Sequence, residues 1–319
     1  MSRILVTGAS GFIGRPVIDA LIKDGHTVRA AVRGTQLSFP AGVEVVQHGD
    51  LAQPVDWQPL LAGIEQVVHL AGIAHIGRGV AAELYDRVNH RATAQLAAAA
   101  AQAGISRFVF VSSIRAQSGP AADHALTEND TPAPTDAYGR SKLAAEQAVR
   151  TSGVPFTTLR PVLLYGPGVK GNFAMLARAA ASSLPLPVKD FVNRRSILDI
   201  DNFISALQFV LSAPQTAGET YIVSDPGMAL RLDDVIATLR QAMNRRPLIV
   251  SMSTDYLEWP LRLIRRGDAW DRIGGNLRVD PGKLIGAGWR PLHDTRAGLT
   301  AMAQAAAPRK SGTASVSTR

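Results

Sequence analysis

The chain has 319 residues, 34 Lys and Arg against 26 Asp and Glu, a formal net charge of +8 and no cysteine. That length supports one large α/β domain or two unequal lobes, so a small disulfide-held scaffold is excluded. Without cysteine there is no disulfide, thiolate metal site or cysteine nucleophile, which fits a reducing compartment.

The elements are read in chain order. Ile4-Leu5-Val6 is an apolar run expected to be a buried strand, followed at once by Thr7-Gly8-Ala9-Ser10-Gly11-Phe12-Ile13-Gly14. An apolar helical pattern (Val17, Ile18, Leu21, Ile22) continues through about Arg15–Lys23. A strand, three glycines spaced by three and a helix form a dinucleotide-binding turn. Gly8 turns the chain off the strand, Gly11 admits a pyrophosphate to the backbone, and Gly14 seats the helix on the sheet. The helix N-terminus offers N–H groups and a partial positive charge to phosphates. Further strands are expected at Val28–Val32, Val43–Gln47, Gln66–Leu70 and Phe108–Val111, with a helix over Ala81–Ala103. A helix starting near Ala137 and a strand at Phe156–Leu159 follow, then short strands at Ile197–Ile200 and Tyr221–Val223. This alternation predicts an α/β fold, a doubly wound parallel sheet of Rossmann type with helices on both faces.

After Tyr165 the texture changes. Gly166-Pro167-Gly168 is a turn cluster, and Leu184-Pro185-Leu186-Pro187 cannot be helical. The expected organisation is a Rossmann domain over 1–165, to which 196–224 returns, and a smaller substrate lobe over 166–302, mainly 166–195 and 225–302. A disordered tail is expected over 303–319. Tyr256–Arg266 is amphipathic and is expected to be a helix covering its own lobe rather than a membrane contact. The first strand leaves no room for a leader, and no apolar stretch is long enough to span a bilayer, so a cytoplasmic protein without stable membrane insertion is expected. The basic balance suits an anionic small molecule; no aromatic-interleaved basic stripe points to nucleic acid. The seven histidines are scattered without ligand spacing, and no metal is expected.

Tyr138-Gly139-Arg140-Ser141-Lys142 places a phenol and an ammonium on one helix face, behind a cap at Thr135 or Asp136. A free tyrosine, with a pKa of about 10, is a poor base at neutral pH, and a nearby ammonium lowers that value. Such a pair can give or take a hydroxyl proton. The strand before it ends in Val111-Ser112-Ser113, at the sheet edge where α/β proteins bind ligands, so a serine there can hold the same substrate oxygen.

Together, the glycine turn, the serine-bearing strand end and the Tyr-x-x-x-Lys helix resemble the short-chain dehydrogenase/reductase superfamily. Length and the second lobe resemble its extended branch, the NAD-dependent epimerase/dehydratase family acting on nucleotide sugars. Matches run from Arg3 to about Pro291. His48-Gly49-Asp50-Leu51 resembles the turn whose Asp contacts adenine, Leu70-Ala71-Gly72 the loop under the cofactor, and Asn89 a helix asparagine. Leu159-Arg160-Pro161 and Tyr165-Gly166-Pro167-Gly168 resemble the hallmark after the sixth strand. Arg194-Arg195-Ser196 resembles the segment whose Arg grips a diphosphate, and Asp280, Lys283 and Gly288-Trp289 the closing motif.

The resemblance implies Tyr138 as general acid/base, Lys142 as ribose holder and tuner of Tyr138, and Ser113 rather than Ser112 as the catalytic serine. It implies Asn172 and Arg195 as diphosphate contacts. Cofactor contacts are implied at Gly8, Ser10, Gly11, Phe12, Ile13, Gly14, Arg33, Asp50, Leu51, Leu70, Ala71, Gly72, Asn89, Tyr138, Lys142 and Pro161. A homodimer through the helices at 81–103 and 137–151 is implied as well.

Two departures narrow the reaction. Sugar 4,6-dehydratases carry an Asp-Glu pair after the catalytic Ser/Thr, where this chain has Ile114-Arg115, so that chemistry is not expected here. Arg33 ends the second strand where an acid would favour NAD, so NADP is slightly favoured over NAD. The closest sub-branch resemblance is to UDP-glucose 4-epimerase-like proteins and reductases of UDP-4-keto-6-deoxy-N-acetylglucosamine. The expected activity is oxidoreduction at C4 of a UDP-sugar, first as reduction of a UDP-4-keto sugar and alternatively as 4-epimerisation. A reductase of a hydrophobic ketone and a non-catalytic NAD(P) sensor are the remaining alternatives.

Overall fold

The computed structural model describes residues 1–34, 38–74, 80–169, 171–251 and 275–306, with backbone alone at 171, 172 and 306. The first part of the chain comprises β1 (Arg3–Thr7), α1 (Gly14–Lys23), β2 (Thr27–Val32), β3 (Glu44–Gln47), α2 (Gln58–Leu61), β4 (Gln66–His69), α3 (Ala82–Tyr85), α4 (Ala92–Gln102) and β5 (Arg107–Val111). Then come α5 (Ile114–Gln117), β6 (Ala125–Leu126), α6 (Ala137–Thr151), β7 (Phe156–Pro161), β8 (Leu163–Tyr165), α7 (Gly171–Ala181), β9 (Arg194–Arg195) and β10 (Ile197–Asp199). The remainder comprises α8 (Ile200–Ser212), β11 (Glu219–Val223), β12 (Leu230–Arg231), α9 (Leu232–Ala242), β13 (Arg278–Val279), α10 (Gly282–Gly286) and α11 (Thr295–Ala306).

Seven strands form a parallel sheet in the order β11-β7-β5-β4-β1-β2-β3. The chain winds outward from β1 through β2 to β3, then returns to β4 beside β1 and winds the other way. This is the doubly wound Rossmann-type sheet expected from the alternation. Its switch point lies between β1 and β4, so their C-terminal loops open a crevice for a ligand. Alternating side chains supply both faces. Ile4, Val6, Val28 and Val68 pack with α1 and α8, and Leu5, Val67, Phe108 and Phe110 pack with α4 and α6. A third apolar cluster joins Tyr165, Phe173, Ile197, Val235, Leu239, Leu299 and Met302.

Three elements differ from the sequence expectation. The helix expected over Ala81–Ala103 is interrupted by a π-helical turn at Asp86–Arg91. Such a turn inserts a residue into the helix and re-aims its side chains; here it carries Asn89. The run Ile197–Ile200 is strand only to Asp199, whose side chain accepts from Asp201 N and caps α8. The expected tail begins too early at 303: α11 continues to Ala306 because Leu299, Met302 and Ala303 are buried. Residues 307–319 and the amphipathic segment Tyr256–Arg266 lie outside the described residues.

Asp225 ties the later segments to the sheet. Its Oδ1 accepts from Asp199 N (2.9 Å) and Asn202 Nδ2 (2.7 Å), and its Oδ2 accepts from Tyr165 Oη (2.8 Å). Burial raises its pKa, while these donors favour the charged form.

Candidate active site

The glycine turn is shaped by close backbone approaches. Gly8 has φ +66°, and a Cβ there would come within 2.7 Å of Ala71 N. The loops after β1 and β4 therefore touch through backbone alone. A Cβ on Gly14 would overlap the Gly8 carbonyl oxygen and lie 2.7 Å from Ala9 C, which seats α1 directly on the turn. Gly11 meets only Gly8 O, at 3.2 Å, and its own N–H donates to that oxygen at 3.0 Å. No side chain caps α1 at Ile13, so its first-turn N–H groups suit a phosphate. Ser10 and Gly11 are exposed beside partly buried Phe12 and Ile13. This cradle fits a dinucleotide pyrophosphate: small on the protein side and rich in backbone donors. Asp50 is exposed and Leu51 buried, with Asp50 Oδ1 accepting from Ala52 N at 3.0 Å. Arg33 lies exposed past the end of β2, near enough to His48 to depress its pKa after burial has done so more strongly.

A buried hydrogen-bond chain connects this cradle to the middle of the sheet. Ala71 N donates to Thr7 Oγ1 (3.2 Å), Thr7 Oγ1 meets His69 Nδ1 (2.6 Å), and His69 Nε2 meets Thr93 Oγ1 (2.9 Å). Thr93 donates its only hydroxyl proton to Asn89 O at 2.7 Å. His69 Nε2 must therefore donate to Thr93, which makes Nδ1 the acceptor of the Thr7 hydroxyl. The imidazole is neutral because burial, with a contribution from Lys142, pushes its pKa down to about 3. The Asn89 side chain accepts from Ile73 N (2.8 Å) and donates to Ile73 O (3.0 Å) and Ser141 Oγ (3.1 Å). It thereby joins the Leu70–Gly72 loop to α6. A Cβ on Gly72 would lie 2.9 Å from Asn89 Oδ1 and 3.4 Å from Lys142 Nζ.

The expected chemical residues converge at the C-terminal end of β5. Ser113 caps α5, its Oγ accepting from Arg115 N at 3.2 Å, and it hydrogen-bonds Tyr138. Ser112 instead donates to Glu146 Oε1 at 2.5 Å, behind the site. Lys142 is buried, donates to Val111 O at 3.0 Å and lies 4.9 Å from the Phe110 ring centroid. Desolvation pushes its pKa down to about 8, and Glu146 pulls the other way. Asp136, one of the two expected caps, is the one that holds α6: its Oδ1 accepts from Gly139 N at 2.7 Å.

Burial raises the pKa of Tyr138, while the hydrogen bond with Ser113 and the charge of Arg115 pull it back down.

Pro161 is buried at the end of β7. Arg195, on β9, donates through Nη1 to Gly275 O (2.8 Å) and through Nη2 to Pro120 O (3.2 Å). Burial, then Arg115, pushes its pKa down to about 10. Asn172 falls in the first turn of α7, and its side chain lies outside the described residues. Sequence reasoning missed the Thr7–His69–Thr93 chain, the pairing of Arg115 Nη2 with Asp136 Oδ2 (2.7 Å), and the need for glycine at 139, where a Cβ would overlap Arg115 O. The strand-end position of His69 and the Tyr-Gly pair were the available signals.

The model of the NAD dependent epimerase/dehydratase family matches residues 4–224. The chain is 31% identical over 313 residues to a UDP-glucose 4-epimerase of Vibrio cholerae, covering 95% of this chain and 94% of that protein. It is 32% identical over 206 residues to a ceramide reductase of Caulobacter vibrioides, covering 64% and 59%. A UDP-glucuronic acid 4-epimerase from Bacillus cereus, solved with NAD, shares the fold with a TM-score of 0.76 at 22% identity, covering 94% of this chain and 95% of that one.

Proposed function

The chain belongs to the NAD-dependent epimerase/dehydratase family, and from that premise we propose that it is an oxidoreductase acting at C4 of a nucleotide sugar, as a 4-epimerase. The observation that carries this reading is the Ser113–Tyr138 hydrogen bond beside buried Lys142, at the strand ends facing the glycine turn. Likeness along nearly the whole chain to a UDP-glucose 4-epimerase supports epimerisation over the reductase expected first.

The nicotinamide, when bound, supplies the hydride acceptor and donor. Tyr138 takes the O4 proton as C4 is oxidised and returns one as C4 is reduced. Ser113 holds that oxygen in place for the transfer. Lys142 has ammonium protons beyond the one given to Val111 O, and these would hold ribose hydroxyls. Asn89 and the Thr7–His69–Thr93 chain fix the Leu70–Gly72 loop beneath the cofactor. Arg195, with Asn172, would take the diphosphate, and a planar guanidinium matches its paired oxygens. For epimerisation, the 4-keto sugar must present its opposite face before hydride returns, which favours the 166–195 and 225–302 segments as an accommodating substrate lobe.

Exposed Arg33 favours a second reading, NADPH-dependent reduction of a 4-keto sugar, because it can pair with a 2′-phosphate. A homodimer through the 81–103 and 137–151 helices and a cytoplasmic location belong to the same proposal. Among the described residues, no helix is long and apolar enough to cross a membrane. The test is incubation of the purified protein with UDP-glucose and with UDP-N-acetylglucosamine, followed by chromatography of the products. A C4 epimer formed without added reductant supports the epimerase. Product formed only from a 4-keto sugar with NADPH replaces it with the reductase.

A further inference from the structure

Arg115 stands two residues past Ser113, and its backbone is fixed on both sides. Its N–H donates to Ser113 Oγ, and its carbonyl lies where only glycine at 139 leaves room. The side chain is anchored as well. Asp136 caps the helix that carries Tyr138 through one carboxylate oxygen and holds Arg115 Nη2 through the other. A single carboxylate therefore sets the proton-transfer residue and a guanidinium side by side.

The other two guanidinium nitrogens, Nε and Nη1, are buried and make no hydrogen bond to any of the described residues. Buried polar groups are nearly always matched, so two unmatched donors on one cation beside the reacting hydroxyls leave a place for an acceptor that the described residues do not supply. Arg195 is close enough to be affected by the same charge. Arg115 is thus within electrostatic reach of both Tyr138 and Arg195, and the carboxylate hydrogen-bonded to it is that of Asp136. Two guanidinium charges against one carboxylate leave a positive balance, and an unmatched guanidinium N–H takes an oxygen acceptor.

We propose that Arg115 binds an oxyanion of the substrate, sharing recognition of its negative charge with Arg195. This rests on the nucleotide-sugar reading above. Two groups on such substrates have that chemistry: the diphosphate and, in a uronic acid, the carboxylate on C5. Both present paired oxygens to a planar guanidinium. Arg115 is thus a specificity-determining residue at the position where the related dehydratases carry an acid.

The test is calorimetric titration of the NAD-loaded wild type, Arg115→Gln and Arg115→Lys with UDP, UDP-glucose and UDP-glucuronate. Arg115→Gln is expected to bind about 10- to 100-fold more weakly, the range for hydrogen bonds to charged groups. Arg115→Lys recovers part of the loss, because it restores the charge without the fork. A loss already present with UDP assigns the diphosphate; a loss confined to UDP-glucuronate assigns the C5 carboxylate. An unchanged melting temperature and NAD affinity show that the fold is intact. Should Arg115→Gln not fold, Arg115→Lys must still bind more weakly than wild type. Equal affinities of wild type and variants for all three ligands overturn the assignment alone. A wild type that binds none of them overturns the nucleotide-sugar reading, and the assignment falls with it.

Discussion

Lys142 and Glu146 stand one turn apart on α6, both buried, in opposite surroundings. Glu146 is enclosed by donors: Ser112 Oγ at 2.5 Å, Arg160 Nε at 2.9 Å and Arg160 Nη2 at 2.5 Å, with Arg160 also hydrogen-bonded to Gln117. Lys142 has one carbonyl and an aromatic face. Behind the sheet end, charge is matched by charge and the cluster is closed. In front, an ammonium is held in a dry place with hydrogen-bonding capacity left over. Closure serves the fold, and unsatisfied capacity serves a ligand.

Variants on the two sides should separate these roles. Tyr138→Phe, in front, removes only a hydroxyl, so turnover should fall by about 10²–10⁴ with an unchanged melting curve. Steady-state rates alongside thermal unfolding check this; a variant that loses stability without losing turnover would place Tyr138 in the closed cluster. Arg160→Met, behind, strands the Glu146 carboxylate and should cost about 3–5 kcal/mol in urea unfolding. Turnover per folded molecule should remain.

The third expectation uses pH. Lys142 has a folded pKa of about 8 against roughly 10.4 when unfolded. Between those values the unfolded state binds more protons, so stability from this group rises with pH. Below pH 8 its charged burial disfavours the fold by on the order of 3 kcal/mol. Lys142→Met should therefore be the more stable protein at pH 7 and lack the alkaline rise. Parallel unfolding curves for the two proteins across pH 7–10.5 would refute the unmatched ammonium. The smallest effect is expected at the exposed Arg33: Arg33→Asp should weaken NADPH binding relative to NADH binding with no change in stability, read by titrating both cofactors.

The front and rear halves were not equally legible in the sequence. Gly8, Gly11 and Gly14 stand in one local turn whose spacing states its geometry, and Tyr138 and Lys142 share a helix face by spacing alone. The parallel, doubly wound sheet followed from alternation. The rear cluster joins Ser112, Glu146, Arg160 and Gln117 from four elements, and no local pattern announces such a meeting. The π turn at Asn89 was hidden for a similar reason: the alanine-rich sequence suits an unbroken helix, and the interruption belongs to the bonds with Ile73 and Ser141. In Ile197–Ile200 the apolar Ile and Leu residues outweighed the Asp199 cap, although that cap was a readable helix start. Arg115 was recognised only as a missing acid; its meaning came from Asp136 and Arg195 beside it.

The most direct measurement of the account is single-turnover absorbance at 340 nm after mixing NAD-loaded protein with UDP-glucose, for wild type and Tyr138→Phe. A transient rise and decay is expected in wild type, accompanied by the C4 epimer, and a strongly slowed rise in the variant. Epimer formed at the same rate by both proteins would contradict the assignment of proton transfer to Tyr138.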